Sequence, residues 1–393
     1  MTATEHPRSE VRTVPFSPPN LGEEEIAEIV DTLRSDWITT GPKTARFESE
    51  FAAFVQAPAA LALNSCTAGL HVALATLGIG RGDRVATTTM TFAASVNVIE
   101  HVGAVPLLVD VEPDTLNISP AQLEAALTPD VRAILPVHYA GHPVDMDAIS
   151  AIARRRGIHV IEDAAHALPA SHRGTRIGSH GNLTAFSFYA TKNMTTCEGG
   201  MLTGDPKLLE RARVLHLHGM SKDAARRYEK GGSWRYEILA PGFKYNMTDL
   251  QSAMGRVQLR RLGAFQQRRL EIVRRYDREL ADVDAIETPR VRPEVDSAHH
   301  LYVIRLRLDR LAIDRDQFVV RLAERGVTAS VHFIPIHVHP YYRQRYGFRP
   351  EDFPVAYANF LRMISLPLFS RMTDDEQAHV IAAVRDVARG ARR

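Results

Sequence analysis

The chain has 393 residues, 45% of them hydrophobic and 24% charged, a balance that allows a sizeable core and excludes disordered, collagen-like and low-complexity classes. Its 48 basic residues nearly cancel its 46 acidic ones, leaving a net charge of +2, so no overall field draws it to nucleic acid or membrane and any anion site must be local. Two cysteines, Cys66 and Cys197, supply neither a disulfide framework nor a zinc cluster; no segment is apolar enough to span a bilayer, and residues 1–20 do not read as a secretory signal, so the cytoplasm is the expected location.

In chain order, residues 21–33 (LGEEEIAEIVDTL) set Ile26, Ile29, Val30 and Leu33 at helical spacing behind an acidic first turn and predict a helix. Gly41-Pro42 interrupts it, and a second amphipathic stretch covers residues 47–55. Strand-like runs then alternate with helical ones: AALAL with TAGLHVALATLG, DRVATTT with FAASVNVIEHVG, AVPLLVDV with SPAQLEAAL, VRAILPVHY with MDAISAIARRRG, then IHVIEDA. Repeated units of this kind predict an α/β domain with a large, mostly parallel sheet covered on both faces.

Over residues 256–280 the pattern becomes a long charged helix, read as a connector with an Arg-rich face of the solvated type. Beyond it HHLYVIRLRL alternates like a strand, while RDQFVVRLAERG and DDEQAHVIAAVRDVARG read as helices. The expected division is a large domain over residues 1–255 and the connector with a smaller C-terminal α+β domain over residues 256–393.

The chain has only six lysines: Lys43, Lys192, Lys207, Lys222, Lys230 and Lys244. Lys192 falls in a polar turn after the aromatic run that stops at Tyr189, where an amine can reach the crevice at a strand end. Asp163 closes the preceding apolar strand, 29 residues earlier. This is the arrangement that pyridoxal phosphate (PLP) demands: a carboxylate keeps the pyridine nitrogen protonated as an electron sink, and a lysine holds the aldehyde as a Schiff base. The small polar run Ser65, Cys66 and Thr67 opens a helix whose N–H groups and dipole suit a phosphate, and Phe92, beyond the next strand, can stack on a flat ring.

The motifs WITTGP, NSCTAGLHVAL, TTTMTFAAS, PVHYAG, EDAAHA, FSFYATKNMTTCEGG, PGFKYNMTDLQSAMG and VHF, in this order over residues 21–368, resemble the DegT/DnrJ/EryC1/StrS family of sugar aminotransferases. The resemblance implies PLP fold type I, the aspartate-aminotransferase fold, as a homodimer with active sites shared between subunits. It makes Lys192 the Schiff-base lysine and Asp163 the partner of the pyridine nitrogen. It stacks Phe92 on the ring in place of the Trp of some relatives, puts His166 at the ring hydroxyl, and gives the phosphate to Ser187 with Cys66 and Thr67, with Asn246 lent by the other subunit. His332 and Tyr139 fall near the sugar. The substrates implied are L-glutamate and a nucleotide-linked keto-sugar. KNMTTCEGG, residues 192–200, is similar to the branch that aminates C4 of 4-keto-6-deoxyhexoses or 4-keto-pentoses; a 3-aminotransferase is the alternative.

Rival readings each have a distinguishing feature. A sugar 3-dehydratase of the same fold carries His where Lys192 stands. A non-catalytic regulator would be expected to carry a DNA-binding module or to lack the lysine. A metal hydrolase would use His332, His337 and His339, which share one face if VHFIPIHVHP is a strand.

Overall fold

The computed structural model describes residues 13–221 and 236–393; Lys222, Lys230 and residues 1–12 lie outside that range. Two helices, α1 (Glu23–Arg34) and α2 (Pro42–Val55), precede the strand β1 (Ala60–Leu63). Strands and helices then alternate: α3 (Cys66–Thr76), β2 (Arg84–Thr88), α4 (Ala94–His101), β3 (Val105–Val109), α5 (Pro120–Ala126), β4 (Val131–Leu135), α6 (Met146–Arg156) and β5 (His159–Asp163). The short β6 (Ser171–His172) and β7 (Thr175–Arg176) lead to β8 (Leu183–Ser187), β9 (Gly200–Thr203) and α7 (Pro206–Leu215).

The main sheet has seven strands in the order β1-β9-β8-β5-β4-β2-β3, and β9 pairs antiparallel with both its neighbours while the other pairings are parallel. All the strands but β9 therefore end on one edge, and β9 starts there. The strands are short apolar runs because helices cover both faces, and β1, for one, is buried at every position. The predicted α/β class is what the structure contains.

The long helix runs Asp249–Leu280, starting seven residues before the predicted 256. Its first turns carry small buried residues, Ser252, Ala253 and Gly255, which packing rather than charge periodicity recruits. Thr248 and Gln251 close a capping box there. Asp249 accepts from the backbone N–H groups of Gly41, Lys43 and Thr44 and from the Thr44 hydroxyl, all within 3.0 Å. It thus caps α2 from across the fold, where the N-cap residue, Gly41, has no side chain to do so.

The Arg-rich face of the long helix is less solvated than expected. Arg256 and Arg261 pair with Glu50 and Glu25, and Arg268 pairs with Asp374. Arg269 is buried, its guanidinium donating to the carbonyls of His299, His300 and Leu368, and burial lowers its pKa to about 10. In α1 the buried side is Glu25 and Thr32, while Ile26 and Leu33, seven residues apart on one face, are 52% and 58% exposed. The predicted helix is present, but its apolar stripe does not face this chain's core.

Beyond the long helix, β10 (Ile286–Glu287), β12 (Tyr302–Leu306) and β13 (Met363–Leu366) form a separate three-stranded antiparallel sheet, and β11 (Val295–Asp296) pairs with β6. The helices Arg315–Ala323 and Asp374–Gly390 contribute Phe318, Leu322, Val380 and Val384 to the apolar cluster beside that sheet. No helix among the described residues is long and apolar enough to cross a membrane.

Removing the Asp249 carboxylate leaves the first turn of α2 without acceptors in a buried place, so Asp249→Ala should lose about 3 kcal/mol of stability, from hydrogen bonds to a charged group. Denaturant unfolding of the variant beside the unaltered protein checks this.

Candidate active site

The carboxyl edge of the main sheet surrounds a cavity of about 510 Å³. Asp163, the last residue of β5, faces it, and the register pairs Asp163 with Ala185 on β8. Beyond β8 the chain turns through a Lys192 N–H to Tyr189 carbonyl bond of 2.9 Å, and Lys192 enters the same cavity. The adjacent Asn193 fixes that turn. Its amide donates to the carbonyls of Leu168 (2.9 Å) and Ala298 (2.8 Å), which leaves its oxygen to accept from His300 Nδ1 at 3.0 Å.

Burial holds the Lys192 pKa down at about 8, a shift that the nearby Asp163 and Cys66 partly oppose. The Asp163 carboxylate accepts from the Ser95 hydroxyl at 2.7 Å and from the Ala165 N–H at 3.0 Å, with the Cys66 thiol 3.9 Å away. Thr91 bonds to Ser95 at 2.8 Å, so a chain of hydroxyls at the end of β2 orients the carboxylate on β5.

The opening of α3 forms another wall. Ser65 is its N-cap, accepting from the Ala68 N–H at 3.1 Å, so its hydroxyl is engaged in capping. The Cys66 thiol turns inward to Asp163 and the Ala185 carbonyl, and burial beside that carboxylate keeps it protonated. Thr67 is exposed and lines the cavity, as does Ser187. The first N–H groups of α3 thus remain for an anion, with the helix dipole behind them. Gly200 makes the close approach of β9 feasible: a Cβ there would lie 2.4 Å from the Ser65 carbonyl carbon.

Aromatic rings form a further part of the wall, among aliphatic residues such as Leu301, Leu366 and Leu368. Phe92 lines the cavity with 64% of its surface exposed, its ring tilted against that of Phe333 at 6.1 Å. His166 packs 4.3 Å from the His300 ring and stacks on Phe333 at 5.8 Å, and its buried Nδ1 has no partner among the described residues. Burial and the Lys192 cation keep His166, His300 and His332 neutral, with His332 at about 4 and the other two well below the ordinary value.

Two predicted residues lie elsewhere. Tyr139 is 3% exposed and outside the cavity, its phenol donating to the His332 carbonyl. An aromatic at the end of a strand has become a core support for the wall rather than a surface for substrate. Asn246 is also outside this chain's cavity; its amide donates to the Thr40 hydroxyl at 2.7 Å.

The three histidines of VHFIPIHVHP do not converge. The stretch is not a strand: residues Ile336–Val338 form a 3₁₀ turn, and His337 bonds to the Thr89 hydroxyl and packs on Phe353. Among the described residues the only metal-like grouping is Asp145, Asp147 and His172, remote in the sequence from all three.

Sequence reasoning missed Ser95, Asn193, His300, Phe333 and Phe16 as site residues. Asn193, Ser95 and Phe333 sat inside motifs without a role of their own, while Phe16 had no periodic signal.

The profile of the DegT/DnrJ/EryC1/StrS aminotransferase family matches residues 19–385. The chain belongs to this family. Its relatives include the spore coat polysaccharide biosynthesis protein SpsC of Bacillus subtilis, 49% identical over 380 residues that make up 96% of this chain and 98% of SpsC. The putative sugar aminotransferase Spr1654 of Streptococcus pneumoniae, solved in PMP, PLP and apo forms, is 37% identical; its PMP form superposes with a TM-score of 0.91 over 96% of this chain and 100% of that one. The Helicobacter pylori aminotransferase PseC, of pseudoaminic acid biosynthesis, is 25% identical with a TM-score of 0.89 over 96% of this chain and all of PseC. The family member is a fold-type-I enzyme of the sugar aminotransferase class.

Because the Lys192 amine is protonated below its pKa and nucleophilic above it, acetylation of Lys192 in cofactor-free protein should rise with pH through a midpoint near 8. An ordinary lysine would give a midpoint of about 10.4. Competitive labelling with peptide mass spectrometry reads it.

Proposed function

We propose that this family member is a PLP-dependent aminotransferase that moves the amino group of L-glutamate to C4 of a nucleotide-linked 4-keto-6-deoxyhexose or 4-keto-pentose. The observation that carries the reading is the meeting of Asp163 and Lys192 in one cavity at the ends of adjacent strands. The other residues suit the same group: an exposed Phe92 face for a flat ring, the unpartnered Nδ1 of His166 beside it, and the α3 opening with Thr67 and Ser187 for a phosphate. When bound, PLP supplies the electron sink and carries the amino group between the two substrates.

Asp163, its carboxylate held by the Ser95 hydroxyl and the Ala165 N–H with the Cys66 thiol beside it, would accept a hydrogen bond from the protonated ring nitrogen. Lys192 would hold the cofactor's aldehyde and, once displaced by the amino donor, would serve as general base and acid: Nζ would take the proton from the α-carbon of glutamate and pass it to the cofactor in the first half, and would carry a proton from the cofactor to C4 of the sugar in the second. A pKa of about 8 places that amine near the working pH, where both roles are open to it. The neutral histidines leave Lys192 the main cation of the wall, so protons are not diverted to a neighbouring imidazole.

A second copy of the chain completes the site in this reading, lending Asn246 to the phosphate. Asn246 lies outside its own chain's cavity, and the exposed faces of Phe92, Ile26 and Leu33 are of the kind a partner covers. The C4 assignment rests on KNMTTCEGG at residues 192–200.

Lys192→Ala should lose the visible absorbance of the holoenzyme and lower turnover by about 10²–10⁴-fold or more, the usual worth of a positioned acid–base group. Full turnover by that variant with glutamate and a 4-keto-sugar nucleotide would contradict the assignment.

A further inference from the structure

The stretch before α1 crosses the cavity as a strap. Val14 pairs with the C-terminal part of the fold, its N–H donating to the Gly326 carbonyl at 2.7 Å and its carbonyl accepting from the Thr328 N–H at 3.1 Å. Ser17 donates to the carbonyl of Thr191, next to Lys192, at 3.3 Å. Asn20 then bonds to Ser370 at 3.1 Å and accepts from Gln258 of the long helix at 2.9 Å. Tied on both sides, the strap brings Phe16 and Ser17 into the lining of the cavity that holds Lys192.

Phe16 stacks on His332, ring centroids 5.3 Å apart and planes at 19°, and His332 meets Phe333 edge-on at 5.2 Å. His332 is held by Ser365 through Nδ1 at 2.9 Å, and burial keeps it neutral. This side of the cavity is a rigid, uncharged aromatic surface. The two substrates differ sharply toward it: glutamate presents carboxylates, which gain nothing from an apolar wall, whereas a sugar ring presents C–H faces and, where a hydroxyl is missing, a hydrocarbon substituent.

We propose that Phe16 is a specificity-determining residue for the acceptor half of the reaction alone, packing against the deoxy, hydrocarbon side of the keto-sugar, and that the amino-donor half does not use it. The proposal rests on the aminotransferase reading above and deepens it.

The test separates the half-reactions in the unaltered holoenzyme, Phe16→Ala and Phe16→Leu. Loss of visible absorbance on adding L-glutamate reads the first half; its recovery when UDP- or dTDP-linked 4-keto-6-deoxyglucose is mixed with the amino form reads the second. Phe16→Ala should lower the sugar half-reaction about tenfold or more, chiefly through KM, Phe16→Leu about threefold, and both should leave the glutamate half within about twofold. Loss of equal size in both halves, or no loss in the sugar half for whichever variant folds, would overturn the role of Phe16. An unaltered enzyme that completes the glutamate half but aminates neither sugar overturns the acceptor assignment and this inference with it. One that fails the glutamate half overturns the aminotransferase reading itself.

Discussion

The spacing between Asp163 and Lys192 depends on the pairing of two parallel strands. β5 and β8 run side by side in a fixed register, Ile161 with Leu183 and Asp163 with Ala185, and the Ala164 N–H donates to the Ala185 carbonyl at 2.8 Å just past the end of β5. A slip of one residue would turn Asp163 to the opposite face of the sheet. Burial on both faces forbids that slip, because Ile161, Ala185 and Phe186 have no exposed surface. The packing of the core therefore sets the geometry of the carboxylate and, through the turn after β8, of the amine. Asn193 extends the same control to the loop, since three hydrogen bonds tie it to two separate segments, at Leu168 and at Ala298–His300.

Burial also sets the charge state of the cavity. The environment that lowers the Lys192 amine to about 8 keeps three imidazoles neutral and the Cys66 thiol protonated. Desolvation opposes every charged form, so charges persist only where a partner or a hydrogen-bond donor supports them. The Asp163 carboxylate accepts hydrogen bonds from the Ser95 hydroxyl and the Ala165 N–H. A site of this kind binds a flat, charged cofactor at its two ends and leaves its middle apolar.

Much of this was legible in the sequence, and the reasons for success and failure are physical. That Asp163 and Lys192 come together in one cavity is readable because strand ends in an α/β sheet converge on one edge, and because the two residue types answer one cofactor's needs. Ser95 reaches Asp163 across 68 residues and His300 reaches Asn193 across 107, and no local period reports such contacts. Tyr139 sits at a strand end as Phe92 does, yet one is buried under the wall and the other is 64% exposed; residue type and position alone do not separate them. The start of the long helix was placed late because charge periodicity marks the exposed part of a helix, whereas its buried first turns are written in small residues and a capping box. The apolar stripe of α1 was read as a stripe, but its Ile26 and Leu33 do not face this chain's core.

The most direct test of the central claim, that Asp163 and Lys192 together hold a cofactor competent in transamination, is the visible absorbance spectrum of the purified protein reconstituted with PLP and titrated with L-glutamate, with 2-oxoglutarate measured alongside. The account predicts a visible band that disappears as glutamate is added, with one 2-oxoglutarate formed per site. A protein that develops no such band with PLP, or whose band does not respond to glutamate while no 2-oxoglutarate appears, would contradict it.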